Sequence, residues 1–561
     1  MLLSNLDLLA TAPGGVMRLR ELILTLAVQG KLVPQDPVDE PAGVLLQNIR
    51  AEKDQLIAEG KIKRDKPLAE IAEEEKPFEL PVGWEWVRLG ALLPFRIGKT
   101  PPSKDPQYWA DSGHAWVSIS DMNHFGEVFE TGRKITHRGA EVFGYDPLPS
   151  GTLIMSFKLT IGKISVLRVP AYHNEAIVSF TPLRGTNSGF LKYMLPTVAR
   201  TGVSKDALMG ATLNTESLSN LVIALPPCIE QSRIVTRVEE LMRLCNALEA
   251  KGQLEAAQHA QLVSTLLSTL TASTTPEELA DNWQRVAQHF DLLLDRPEAI
   301  DALEQTLLQL AVRGMLVPQD RTDEPASALL QKIRAEKDRL IAAGQIKRDK
   351  PLPPITDEEK PFELPVGWEW GRVGDVVELL NGYAFKSEWF KPAGVRLLRN
   401  VNISHGHVDW SAPVMLDAVA AQSYEQFALR VGDIVLSLDR PIISTGLKYA
   451  VIRESDLPCL LLQRVARLTA SACLSPEFLQ LWLQSDLFVG TIDPGRSNGV
   501  PHISTKQVAG LAFALPPLAE QSRIVTRITA LRRLCADLRQ RLAERQSVQA
   551  RLAEALVASV A

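Results

Sequence analysis

Two stretches of this sequence gather the side-chain types that grip nucleic acid. The first holds Lys99, Thr100, Ser103 and Lys104 in a loop rich in Pro, then Ser118, Asp121, Asn123 and His124. It continues with Arg133 and Lys134, with Lys158, Thr160 and Lys163, and with Thr212 and Asn214. The second holds Lys386, Arg399, Asn400 and Asn402, then Asp439 and Arg440, then Arg496, Asn498 and His502. Arg and Lys bond guanine edges, Asn pairs with adenine, and Lys, Ser and Thr hold phosphates. Any one of these residues alone reads equally well as a solvated loop. Their clustering is what points to DNA contact.

Catalytic signatures are missing. The sequence has no P-loop, no glycine-rich dinucleotide fingerprint after a strand, no zinc-protease or EF-hand motif, no nucleophile elbow and no kinase set. Asp105-Pro106-Gln107-Tyr108 resembles the Asp-Pro-Pro-Tyr loop of amino-methyltransferases, but Gln107 replaces a proline and no cofactor loop lies upstream. His405-Gly406-His407 offers two metal ligands without a third, so a surface loop is expected and no metal site.

The elements that must position these residues come in two copies. Leu19–Trp86 aligns with Leu303–Trp370, with 49 of 68 positions identical. Leu225–Cys245 aligns with Leu515–Cys535, with 15 of 21 identical. Each copy is therefore a near-constant frame around an insert, Val87–Ala224 or Gly371–Ala514. The frame reads as helices ending at Gly30, Gly60 and Gly344, and Thr275-Pro276-Glu277-Glu278 reads as a helix start. Each insert reads as one α+β domain, with strands near Ala115–Ile119, Leu153–Ser156, Ile164–Val169 and Ile177–Phe180. Helices are expected near Ser188–Val198 and Pro476–Leu487.

After each Pro-Pro comes a long heptad segment. Its seam is Ile234, Val238, Leu241, Leu248 and Leu262 in the first copy, and Ile524, Ile528, Leu531, Leu538 and Leu552 in the second. The fold class expected is α+β, with two globular domains joined by long antiparallel coiled-coil helices in an internal pseudo-twofold repeat. Glu255 and Arg545 would meet where the seams cross. The boundaries expected are 1–78 (helical), 79–227 (domain 1), 228–362 (central helical spacer), 363–517 (domain 2) and 518–561 (C-terminal helix).

Composition sets the class. There are 61 Lys plus Arg against 66 Asp plus Glu, a net charge of −5, with 45% apolar and 23% charged residues. That is a globular protein, neither disordered nor uniformly basic. The first insert carries +4 and the second 0, which leaves −9 on the frames. Five cysteines without a CxxC pair suggest a reducing compartment. With no basic leader and no apolar run of spanning length, a cytoplasmic protein is expected, away from membranes.

The pattern resembles the specificity subunit of type I restriction–modification systems. The carrying motifs are ELPVGWEW (79–86 and 363–370) and LPPxxEQSRIV (225–235 and 515–525). Gly432-Asp-Ile-Val-Leu-Ser437 looks like the family's mid-domain strand, and Gly151-Thr-Leu-Ile-Met-Ser156 departs by Thr152. Lys158-Leu-Thr160-Ile-Gly-Lys163 looks like a family loop that the second insert lacks. The resemblance implies two target recognition domains, the first reading the 5′ half and the second the 3′ half of a bipartite double-stranded DNA target. It implies helices that set the spacer and dock modification (methyltransferase) subunits, usually two, with restriction subunits joining for cleavage. It implies a non-catalytic chain that binds no cofactor, with S-adenosylmethionine, ATP and Mg²⁺ on the partners. The alternatives are a free-standing nucleic-acid methyltransferase and a helical protein-binding scaffold.

Overall fold

The computed structural model describes residues 6–62, 67–158, 160–206, 214–344, 351–492 and 502–559. The chain divides into two compact units, one of Met1–Glu255 with Gln546–Ala561 and the other of Ala256–Arg545. Each unit holds one frame and one insert.

The frame helices are Gly15–Val28 and Ala42–Ala58, repeated as Pro297–Val312 and Ala326–Ala342. Gly30 and Gly314 follow the first helix of each copy at φ 69° and 73°. A Cβ on Gly30 would sit 2.5 Å from Pro81 and 2.8 Å from Trp84, and one on Gly314 would meet Pro365 and Trp368 as closely. The glycine thus does two things. It adopts the left-handed turn that ends the helix, and it lets the insert-opening motif pack against that end.

A buried polar knot explains why opening and closing motifs repeat together. Glu230, almost fully buried, accepts from the Trp84 indole N–H (3.1 Å) and the Gln35 amide (3.2 Å). Gln231 accepts from Asn187 N (2.8 Å) and donates to the Pro226 carbonyl (3.2 Å), while Arg233 forks onto Asp39. The second copy repeats this with Gln319 on Glu520 (3.3 Å), Gln521 between Ser475 N and Pro516 O, and Arg523 on Asp323. Each insert is then closed by its own ends. Glu85–Arg88 pairs antiparallel with Val222–Leu225, and Glu369–Arg372 with Ala512–Leu515.

Inside, both inserts have one topology. The first has a five-stranded sheet in the order Phe95–Ile97, Ile177–Phe180, Leu153–Ser156, Ile164–Leu167, Gly126–Val128. Its four-stranded sheet runs Trp109–Ala110, Arg133–Ile135, His114–Val117, Ala171–His173. The second insert repeats both orders, strand for strand: Val377–Asn381, Val465–Ala470, Ile434–Ser437, Tyr449–Val451, His405–Gly406, and Phe390–Lys391, Met415–Leu416, Val395–Leu398, Cys459–Leu461. The second adds a hairpin, Ile442–Ile443 with Gly446–Leu447, where the first has its Lys158–Lys163 loop. The expected helices are present as Ser188–Asp206 and as Pro476–Gln484 followed by Asp486–Val489. Thr275 caps Pro276–Gln288, its hydroxyl accepting from Glu278 N (3.2 Å).

The long helices are Cys228–Ala272 and Leu518–Ala558, of 45 and 41 residues. At 1.5 Å per residue they measure about 60–70 Å. Their seams begin as expected, with Ile234, Val238, Ile524 and Ile528 buried and Leu241, Leu248, Leu531 and Leu538 half-buried. They then shift by one residue. Leu262 and Leu552 are 52% and 53% exposed, and Val263 and Ala553 are buried in their place. The cause is geometric. A straight helix drifts by about 20° per heptad, so four heptads accumulate about 80°, most of the ~100° between neighbouring residues. The buried positions therefore follow the about 3.6 residues per turn of a straight helix rather than 3.5.

What buries these faces also differs from a plain two-helix seam. Ile234, Val238 and Cys245 share a core with Ile23, Ala27, Phe190 and Met194. Val263, Leu267 and Leu270 share one with Val286, Leu293, Ile300 and Leu303. Ala553 packs with Leu9 and Ala12. The long helices thus pack on short frame helices and, through Phe190 and Met194, on the insert helix Ser188–Asp206, while Leu542 of the second long helix lies in the same core as Val263. The charge pair expected at the crossing has other partners: Glu255 lies 3.7 Å from Lys251 on its own helix, and Arg545 donates to the Asp295 carbonyl (3.1 Å).

Candidate nucleic-acid interface

In the first domain the candidate residues gather on three loops. Trp116 and Trp109 donate their indole N–H groups to the carbonyls of Lys99 (3.1 Å) and Pro102 (2.9 Å), pinning the 99–104 loop. Lys99 reaches the Val142 carbonyl (2.9 Å), Thr100 bonds Glu175, and Ser103 and Lys104 stay exposed. The exposed Arg133 lies with its guanidinium carbon 3.4 Å from the Trp109 ring centroid, and Lys134 beside it is exposed. Stacking of this kind leaves the donor edge of an arginine available. Asp121 ties the next loop together, accepting from Ser118 N (2.8 Å), Ser118 Oγ (2.6 Å) and Gly132 N (2.8 Å). Lys163 Nζ donates to the Ile119 carbonyl (3.0 Å), which joins that loop to the one carrying Lys158 and Thr160. Asn123 is exposed, and the His124 ring sits 3.9 Å from Phe125 with Nε2 at 3.4 Å from Arg200. Burial first, then Arg200 and Lys163, push the His124 imidazole down to about 4, so it is neutral at neutral pH.

The second domain uses the same two strand-end positions. Arg399–Asn402 follows Val395–Leu398 just as Ser118–Asp121 follows His114–Val117. The buried Asp439 accepts from Arg464 (2.9 Å) and Asn400 (3.4 Å), and faces His502 Nδ1 at 2.8 Å. Arg440 beside it is exposed, with Lys386 on a separate loop, 3.7 Å from Glu388. Among the described residues, three that are not glycine have φ between +20° and +160°: Phe125, Arg440 and Arg464. All three stand at these two clusters. Backbone held in such conformations costs about 1–3 kcal/mol and gathers at functional sites.

The family model for the type I restriction modification DNA specificity domain matches residues 81–258 and 365–545. The chain belongs to that family. It is 46% identical to the EcoAI type I restriction enzyme specificity subunit of Escherichia coli, covering 97% of this chain and 93% of that one. It is 34% identical to the EcoEI specificity subunit of the same species, with the same shares covered. A crystal structure of the HsdS subunit from Thermoanaerobacter tengcongensis aligns at TM-score 0.39 and 19% identity, over 86% of this chain and 98% of that one. Specificity subunits are the non-catalytic recognition members of their complexes, and this one has two target recognition domains.

Several candidate residues in the specificity subunit have structural work instead. Asn402 is buried, donating to the Asp409 carbonyl (2.9 Å) and accepting from Arg399 (3.3 Å), so it shapes the loop rather than meeting a ligand. Asn214 caps the Thr215–Ser219 helix, its Oδ1 accepting from Glu216 N and Ser217 N (2.9 Å each). Ser118 and Asp121 spend their polar atoms on each other and on Gly132. Thr212, Arg496 and Asn498 lie outside the described residues. Asp105 caps the short Pro106–Tyr108 turn, and His405 contacts the Leu447 carbonyl (2.9 Å). No group of three or more His, Cys, Asp or Glu side chains able to hold a metal occurs among the described residues.

The reading of residues alone missed Trp109, Trp116, Arg200 and Arg464. The tryptophans had no basic neighbour in the sequence, since Arg133 reaches Trp109 from 24 positions away. Arg200 and Arg464 carried no local signal, because their importance comes from partners 76 and 25 residues away.

Proposed function

We propose that the first recognition domain reads the 5′ half and the second the 3′ half of a bipartite double-stranded DNA target. The observation that carries this is the shared strand order with polar clusters at the same strand ends, holding different residues. One scaffold used twice with different contact sets is what a two-part target requires. We divide the chain as 1–78, 79–227, 228–362, 363–517 and 518–561. The exposed cations Lys104, Arg133, Lys134 and Arg440 are the direct contacts we favour, with Asn123, His124, Asn400 and His502 as base readers.

The long helices act as the spacer. Cys228–Ala272 starts in the first unit and ends in the second, and Leu518–Ala558 does the reverse, which suits an antiparallel pair. Readers on one face of DNA need a separation near one turn, roughly 34–36 Å. The acidic frames would dock two modification subunits, which restriction subunits join for cleavage. S-adenosylmethionine, ATP and Mg²⁺ would sit on those partners, and the complex would work in the cytoplasm. Among the described residues, no helix is long and apolar enough to cross a membrane.

The test is an insert exchange. Replacing Val87–Ala224 by the corresponding insert of another specificity subunit, with modification subunit co-expressed, should change one half of the methylated sequence in genomic DNA. The other half and the gap should stay. An unchanged methylated sequence would refute the assignment of readers.

A further inference from the structure

Asp439 occupies an unusual place in the second recognition domain. Its carboxylate is buried, yet its Oδ2 bonds Asn400 and the largely exposed Arg464, and its Oδ1 faces His502 Nδ1 across 2.8 Å, so that side chains from three separate loops meet it. Its own backbone is held firmly. Ser437 Oγ donates to the Asp439 carbonyl (2.8 Å), and Leu438 N donates to the Arg464 carbonyl (2.9 Å) while Ile503 N donates to the Leu438 carbonyl (3.0 Å).

The first domain shows that the fold does not need this carboxylate. There Phe157 N donates to the Ala176 carbonyl (3.0 Å) just as Leu438 N donates to Arg464. That match makes Lys158 the counterpart of Asp439 and Ala176 the counterpart of Arg464. The same sheet order closes around a cation and a methyl group instead of an ion pair. The pair is therefore a property of the second reader and not of the scaffold.

We propose that Asp439 is a positioning residue that holds Asn400, Arg464 and His502 as the base-reading set of the second domain, and that Arg464 is a specificity-determining side chain. This rests on the reading of the inserts as two half-site readers. The chemistry follows from what Asp439 leaves free. One Asn400 N–H goes to Asp439, so an acceptor and a donor remain, the complement of an adenine edge. Arg464 uses one nitrogen on Asp439 and keeps the others for a guanine edge. His502 turns Nδ1 toward the carboxylate and so presents Nε2 outward.

The experiment uses the full chain assembled with its modification subunit. The methylated sequence is first mapped for the unsubstituted complex, and binding is then measured to matched duplexes and to duplexes altered in one half. Asp439→Asn and Arg464→Ala should each lower discrimination against 3′-half changes by about 10- to 100-fold, the worth of one good base contact. Discrimination against 5′-half changes should stay the same. Arg464→Lys keeps the charge, loses the fork and should fall between. If matched and altered duplexes weaken by one common factor, Asp439 and Arg464 serve structure only and the proposal is wrong. Should Asp439→Asn fail to fold, the exposed Arg464 variants still decide. An unsubstituted complex that methylates no two-part sequence would overturn the half-site reading itself, and this proposal with it.

Discussion

Glu359 meets the Arg372 guanidinium at 2.6 and 2.8 Å, and Thr356 N as well. The arginine holds its carboxyl down to about 2 from an ordinary 4.5. A depressed folded value means that the contribution to stability is present above about pH 4.5 and is lost as pH falls toward 2. Glu359→Gln should therefore flatten the acid limb of the stability curve, read as urea midpoints at pH 6 and pH 3. His124 has the opposite charge type. Its folded value of about 4 means the unfolded chain takes up a proton first, so its contribution is lost as pH drops from about 6.5 toward 4. Imidazole NMR should show His124 still neutral at pH 5.5; a midpoint near 6.5 would contradict the effect of the Phe125 ring and the Arg200 and Lys163 cations beside it. Truncating Glu230 to Ala would leave the Trp84 indole unpaired, while the Gln35 amide keeps the Gly30 carbonyl, at a cost of about 1–3 kcal/mol in chemical denaturation. Asn400 and Asn402 show what a residue list lacks. They stand two positions apart with the same chemistry, and backbone geometry buries Asn402 and leaves Asn400 partly exposed.

At the scale of elements, the long helices are where periodicity and packing part. Their sequence supports a heptad, and their first turns obey it. A seven-residue repeat stays in phase only if two helices supercoil about each other. Here the faces pack on short helices of frame and insert as well, which impose no such winding, so the phase slides to Val263 and Ala553. Val263→Asp should destabilise by several kcal/mol, as expected for an unpaired buried charge, whereas Leu262→Asp should stay within about 0.5 kcal/mol. Equal effects in thermal melts would restore the heptad. The recognition domains show the converse. Their sequences share few residues beyond Gly-x-x-x-x-Ser, yet their strand orders agree, because alternate burial can be satisfied by many apolar sets.

For the whole molecule, helix length should set the gap between half-sites. Inserting one turn, about four residues, at equivalent places in both long helices should lengthen the unspecified gap in the methylated sequence while keeping both halves. A changed half-site with an unchanged gap would place the ruler elsewhere.

The sequence by itself determined the duplication, the frame and the ends of each insert. It could do so because Glu230, Gln231 and Arg233 tie the first frame into a polar knot, and Glu520, Gln521 and Arg523 tie the second in the same way, so the members of each must change together. Tertiary structure alone decided which side chains stand together. Asn400, Asp439, Arg464 and His502 span about a hundred residues, and strand crossovers rather than local spacing bring them to one place.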